Sequence, residues 1–362
     1  MKKLIYSIFA VIATVFFAQC SDWTEIEANY TDPVNIHGDE YYEALRAYKK
    51  SKHPIVFGWY SDWIGKGTDM YNQLRGIPDS MDIVSIWGNS YNLTPEQWSD
   101  LQEVREKKGT KVLVCLQIMN LGQAYTPAEV EQDYIVNGVQ YETYNEAMAA
   151  YWGWYKSSYD GSEEAQNAIR KYAQVIADSI NKYGYDGFDI DFEPNYGYRG
   201  NLSGSNDAMH VWLSELSKYF GPKSNTGKLL VVDGEPQTLN TESGPLLNYY
   251  IIQAYYCTGD TNLDGRFNNL LNKFGSVEDE STILSKTVWC EDFEKHKADG
   301  GPQFTTRDGV TTYSLMGMAM YYRPEVDARI GGVGAYRFNL CRPLNDYVFM
   351  REVIQYLNPA QN

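Results

Sequence analysis

Between Tyr183 and Pro194 the chain reads Tyr-Gly-Tyr-Asp-Gly-Phe-Asp-Ile-Asp-Phe-Glu-Pro. Asp189, Asp191 and Glu193 alternate there with Phe188, Ile190 and Phe192, the side-chain period of an extended strand. In a parallel strand covered by helices, the apolar face packs outward and the other face looks into the centre of the sheet. Three carboxylates then share one interior, where like charges in a poorly hydrated site cannot all ionise. Stability alone does not favour such a cluster, so the pattern points to catalysis. Calcium is the competing reading, because Asp-x-Asp-x-Glu has the right ligand type. Calcium loops, however, are polar and glycine-rich, whereas the intervening residues here are Phe, Ile and Phe.

At these residues the chain resembles glycoside hydrolase family 18, whose signature is Asp-Gly-x-Asp-x-Asp-x-Glu on the fourth strand of a (β/α)8 barrel. Asp186, Gly187, Asp189, Asp191 and Glu193 fill every fixed position. Gln253-Ala-Tyr255-Tyr256, at the end of a later strand, is similar to the Asn/Gln-x-Tyr of the family's endo-β-N-acetylglucosaminidase branch rather than the Met-x-Tyr-Asp of its chitinases. The resemblance implies an α/β fold, a single (β/α)8 TIM barrel.

The 362 residues suit one such barrel, and no internal repeat, low-complexity linker or second hydrophobic core divides them. A net charge of −16 argues against nucleic acid or an anionic membrane surface as a partner. Aromatics make up 15% of the chain and Tyr alone numbers 31, which suits flat rings covering the faces of sugars.

Met1-Lys-Lys and the apolar run Leu4 to Ala18 read as a signal peptide spanning residues 1–19, too short and wrongly flanked for a retained membrane span. It ends at Phe-Ala-Gln-Cys20, which resembles a bacterial lipoprotein processing site, with Gln19 departing from the usual small residue. Export to the outer membrane and cell surface is expected, held by a lipid anchor on Cys20, and a monomer is expected. Residues 20–50 read as an acidic leader and short helix, and 51–362 as the barrel. The spacing of Cys115, Cys257, Cys290 and Cys341 matches no zinc pattern, and His37, His53, His210 and His296 are scattered singly. No metal or other cofactor is expected. An exported setting permits one disulfide among these cysteines, small buried thiols being the commoner arrangement.

Along the chain, Asp39 to Ser51 has helical periodicity. Ile55 to Trp59, Met81 to Trp87 and Lys111 to Ile118 read as strands one to three, and Thr94-Pro95 as the capped start of a helix. A long aromatic connection follows strand three, with part of it, Asn145 to Trp154, helical. It holds Trp152 and Trp154, which either stack on substrate as a solvent-facing platform or pack the loop on itself. Ser162 caps a helix whose stripe of Ile169, Tyr172, Ala173, Ile176 and Ile180 leads into the acidic strand. Leu229 to Asp233, Tyr249 to Tyr256, Thr287 to Phe293 and Gly332 to Leu340 make eight strands, with helices at Asp207 to Tyr219, Ser314 to Met320 and Asp346 to Leu357.

The family resemblance implies roles residue by residue. The substrate's own 2-acetamido group is the nucleophile of a retaining reaction that passes through an oxazolinium ion. Glu193 would be the general acid, Asp191 would receive the acetamido N–H, and Asp189 would share a proton with Asp191. Tyr255 would donate to the acetamido oxygen. Neighbouring negative charge should raise the Glu193 pKa. Gln253, Asp186, Tyr256, Trp87, Trp289, Trp152 and Trp154 are the candidate substrate contacts. Two departures separate the chain from chitinases. Val114-Cys-Leu-Gln-Ile-Met replaces the usual Ser-x-Gly-Gly on strand three, and Gly334-Ala-Tyr-Arg-Phe-Asn-Leu on strand eight lacks the tryptophan that floors the sugar site. The function implied is cleavage of the β1,4 bond between the two core GlcNAc residues of N-glycans. A non-catalytic glycan-binding lipoprotein and a chitinase remain alternatives, discriminated by loss of turnover in Glu193→Gln and by cleavage of chitin oligomers against glycoprotein.

Overall fold

The computed structural model describes residues 37–67, 70–88 and 90–359. The expected signal segment and Cys20 lie outside them. Eight parallel strands close into a barrel: β1 Ile55–Tyr60, β2 Ile83–Ile86, β3 Lys111–Gln117, β4 Gly187–Phe192, β5 Leu229–Gly234, β6 Tyr249–Gln253, β7 Thr287–Asp292 and β8 Gly332–Tyr336. Each pairs with its sequence neighbours, and β1 closes on β8 with Ile55 opposite Gly332 and Phe57 opposite Gly334. This is the (β/α)8 arrangement that the resemblance implied.

Residue parity divides the core into two layers. Ile55, Phe57, Trp59, Ile83, Leu113, Cys115, Val231, Ile251, Val288 and Cys290 fill the barrel interior. Phe188, Ile190 and Phe192 join the outer core with the helix stripe of Ile169, Tyr172, Ala173, Ile176 and Ile180, as the alternation in β4 requires. That helix spans Glu163–Lys182, and the Ser162 hydroxyl accepts the Ala165 N–H at its first turn. Thr94 and Gln97 form a reciprocal capping box at the start of the helix Pro95–Glu103. Gly187 opens β4 because a Cβ there would meet the Leu229 carbonyl oxygen at 2.2 Å, so β4 and β5 approach more closely than any side chain allows.

Three strands are shorter than expected by three residues or more. β2 starts at Ile83, β6 ends at Gln253 and β8 at Tyr336, where Phe338–Cys341 turns into a 3-10 helix. Beyond β6 the backbone leaves the ladder, and Tyr256 has φ +61°. The short helix spans Asp39–Lys49 and packs onto the barrel: Lys49 Nζ donates to the Asp79 and Met81 carbonyls and to Thr110 Oγ1. A helix at Asp260–Phe274, absent from the sequence reading, follows β6.

The connection after β3 is folded, with helices at Ala128–Glu131 and Tyr144–Trp152 and a short hairpin between them. Its rings pack edge to face, Tyr144 on Tyr155 at 5.6 Å and Trp152 on Tyr172 at 5.5 Å. The four cysteines Cys115, Cys257, Cys290 and Cys341 are free and buried. No helix among the described residues is long and apolar enough to cross a membrane.

Candidate active site

At the carboxyl ends of the strands lies a cavity of about 230 Å³ lined by Asp191 and Glu193 from β4 and the loop after it, Gln253 and Tyr255 from β6 and beyond, Asp233 from β5, Gln117 from β3, Trp59, Trp87 and Tyr336. Below its floor Asp189 is fully buried, its Oδ2 accepting from Trp59 Nε1 at 2.9 Å and from Ser85 Oγ at 2.6 Å. Asp191 Oδ1 and Asp189 Oδ1 have no hydrogen-bond partner. Asp191 thus lines the cavity while one of its oxygens is buried and unfilled, an acceptor that calls for a donor.

Electrostatics keep this cluster rich in protons. Burial pushes Asp191 up from the ordinary carboxylate range, and the charges of Glu193 and Asp189 push it further. Asp189 is raised by burial, while the neighbouring polar groups of Ser85, Asp233, Cys115 and Trp59 oppose the rise. Glu193 is also raised, chiefly by burial and then by the charge of Glu235, while a hydrogen bond to Gln253 works against it. The expected direction holds, but desolvation leads and the charge comes from Glu235. Burial holds the Tyr255 phenol well above its usual range, so it remains a neutral donor.

Backbone geometry sets the acid in place. Gly234 has φ +87°, and a Cβ on it would meet Glu193 Cγ at 2.8 Å, so only glycine leaves the Glu193 side chain its room. Glu235 accepts the Asn195 backbone N–H at 2.7 Å and its Nδ2 at 2.9 Å, tying down the turn directly after Glu193.

The cavity opens on both sides. A groove of about 950 Å³ runs past Glu193, Tyr196, Glu235, Tyr256, Asn262 and Arg266. A second, of about 680 Å³, runs past Asp62, Trp63, Asn72, Trp87 and Arg337. As for metals, ligand atoms of Cys115, Asp189 and Asp233 lie within 4.8 Å of one another. One oxygen of Asp189 is already taken by Trp59 and Ser85, and one oxygen of Asp233 by the Gln253 amide.

The sequence profile described as glycoside hydrolase family 18, BT1044-like, matches residues 20–361. The chain belongs to glycoside hydrolase family 18. It is thus a member of a glycoside hydrolase family with that family's barrel and acidic strand. A solved structure of BT1044, a selenomethionine glutamate-to-glutamine variant, is 31% identical, with a TM-score of 0.72 over 89% of this chain and 94% of that one. Endo-beta-N-acetylglucosaminidase F2 of Elizabethkingia meningoseptica is 30% identical over 220 residues, 58% of this chain. The match spans about half, 53%, of that relative's length. An apo endo-beta-N-acetylglucosaminidase of Cordyceps militaris shares the fold, with a TM-score of 0.55 at 19% identity over 89% of this chain and 97% of that one.

Within this family frame the structure gathers Glu193, Asp191, Gln253, Tyr255 and Trp87 around one cavity and puts Asp189 directly beneath. Tyr256 lies in the adjoining groove, half exposed. Four candidate contacts are elsewhere. Asp186, at the base of β4, accepts from Arg105 Nε and Nη2 at 2.7 and 2.8 Å and from the Val112 N–H, so it joins β3 and β4 at the end remote from the cavity. Trp289 has outward parity on β7 and packs on Tyr321. Trp152 and Trp154 are 2% and 5% exposed, their indoles donating to Thr126 Oγ1 and Asp160 Oδ2. Their packing reading holds and the platform is overturned, because the connection folds back over the outer helices. Glu291 and Asp292 likewise hold loops: Glu291 accepts the Tyr256 N–H and Asp292 the Tyr256 hydroxyl.

Trp59, Gln117, Tyr336 and Asp233 line the cavity and were missed. Tyr336 sits edge-on to Trp59 at 6.2 Å and to Trp87 at 5.9 Å. β1 is buried on both faces, so no alternation marked Trp59 as inward. A carboxylate closing Leu-Leu-Val-Val-Asp was the available signal for Asp233.

Proposed function

We propose that the protein is an endo-β-N-acetylglucosaminidase that hydrolyses the β1,4 bond between the two core GlcNAc residues of N-glycans, with retention, through an oxazolinium ion. The observation that carries this reading is the convergence of Gln253 and Tyr255 with Asp191 and Glu193 on one cavity with a groove on either side. Glu193, whose pKa burial raises, protonates the departing oxygen and then deprotonates water. Asp191 receives the acetamido N–H and balances the charge that develops on nitrogen. The Tyr255 hydroxyl donates to the acetamido oxygen as it closes on the anomeric carbon. Grooves on both sides suit cleavage within a chain rather than at its end, and the relative F2 bears the same activity in its name.

Mass spectrometry of a mixed set of N-glycoproteins, with chitooligosaccharides in parallel, tests the reading. Glycans ending in one GlcNAc should be released, leaving one GlcNAc on each asparagine. Folded protein that leaves every N-glycoprotein uncut would end it. Export with a lipid anchor on Cys20 is proposed from the leader sequence alone. Labelling by a radioactive fatty acid, lost in Cys20→Ala, is the expected result, and equal labelling of both would refute it.

A further inference from the structure

Asp233 belongs to none of the roles above. It closes β5, its Cα opposite that of Asp191, and its side chain is 1% exposed. Its Oδ1 accepts from Gln253 Nε2 at 2.9 Å, and that same amide hydrogen-bonds Glu193. Its Oδ2 lies 3.6 Å from Cys115 Sγ. The carboxyl also contacts that of Asp189, whose Oδ1 otherwise has no partner although the residue is fully buried. Two buried carboxylates in contact cannot both be charged, and an orphaned buried acceptor calls for a donor.

We propose that Asp233 is a positioning residue that carries a proton and donates it to Asp189 Oδ1, while its other oxygen fixes the Gln253 amide, so that Asp191 is left free to meet the substrate. The proton otherwise shared along β4, between Asp189 and Asp191, is supplied from β5. The titratable groups facing this pair are Asp191 and Glu193 beyond them on the β4 side, Cys115 on β3, Cys290 on β7 and Tyr255 after β6. Burial and the charges of Asp189 and Asp191 all favour the protonated form of Asp233. The proposal rests on the acetamido-assisted reading for its catalytic consequence but not for the proton itself.

Two substitutions and one spectroscopic readout test it. In Asp233→Asn the amide donates to Asp189 and its oxygen accepts from Gln253, replacing a neutral acid group for group. Its kcat/KM should stay within about tenfold of wild type, with the acidic limb of the pH profile unmoved. Asp233→Ala removes both bonds and should lose about a hundredfold, as small misplacements at reacting centres do. Its acidic limb should move to higher pH, because Asp191 then shares its proton with an uncompensated Asp189. Infrared difference spectra at neutral pH should show Asp233→Asn losing a protonated-acid carbonyl band. Loss of a carboxylate band instead would overturn the proposal whether or not the enzyme is active. So would a folded Asp233→Asn variant impaired as severely as Asp233→Ala, or an Asp233→Ala variant whose acidic limb stays where it was. If Asp233→Ala fails to fold, Asp233→Asn and the infrared band decide. Wild-type protein that cuts no GlcNAc glycoside refutes the functional reading alone, since the band still reports the proton.

Discussion

Glu193 and Asp191 sit two residues apart at one strand end, and the proposed reaction gives them different chemistry, one meeting the leaving oxygen and the other the acetamido nitrogen. Glu193→Gln removes a proton donor and no core volume, so kcat should fall roughly a hundred- to ten-thousand-fold with glycan binding retained. Since burial raises the Glu193 pKa, wild-type activity should decline only as pH rises past that elevated value, and kcat against pH should show this basic limb. Asp191→Asn should lose hydrolysis but still transfer a ready-made oxazoline donor to an acceptor GlcNAc, the impaired step having been bypassed. The same substitution has a consequence for stability. Asp191 is raised from 3.8 to about 8 in the folded protein. A raised folded-state pKa means stability present below the unfolded value and lost as pH climbs toward the folded one. Asp191→Asn should therefore melt higher than wild type near pH 8, by the equivalent of about 1 kcal/mol or more, and the gap should close in acid. Thermal melts of both proteins across that range measure it.

The strand-end turns carry what the strands themselves do not. Gly234→Ala sets a methyl against Glu193 Cγ at a positive φ. It should cost about 1–2 kcal/mol of stability and, by shifting the acid, on the order of a hundredfold in kcat, measured by melting and steady-state kinetics. The folded connection after β3 behaves differently. Trp152→Ala should cost about 3–5 kcal/mol of stability and depress cleavage of a minimal chitobiose core and a full glycan in parallel. A ring free to stack on substrate is Tyr196, 85% exposed in the groove beside Glu193. Tyr196→Ala should leave the melting temperature alone and raise KM roughly fivefold, a stacked ring being worth about 1 kcal/mol.

Across the whole molecule, what the sequence made legible was whatever carries periodicity or a strict motif. The alternation from Phe188 to Glu193, the Ser162 and Thr94 caps and the eight strands all stand in the structure. The aromatics misled, because Trp152, Trp154 and Trp289 are tryptophans near strand ends and nothing in one dimension says which way such a ring turns. Trp59 was illegible for a related reason: a strand buried on both faces shows no alternation, so an inward side chain looks like any other core position, and Asp233 was marked only by being a carboxylate at the end of an apolar strand. The barrel then assembles Asp189, Asp191, Glu193, Asp233, Gln253 and Tyr255 from three strands into one centre with a groove on each flank. That centre is proposed to use the substrate's acetamido group as its nucleophile, a route that attacks the anomeric carbon twice and leaves its configuration unchanged. Proton NMR of the sugar first released from an N-glycopeptide, read before mutarotation, is the most direct test. The β anomer is predicted; initial release of the α anomer would contradict substrate assistance at Asp191 and Glu193.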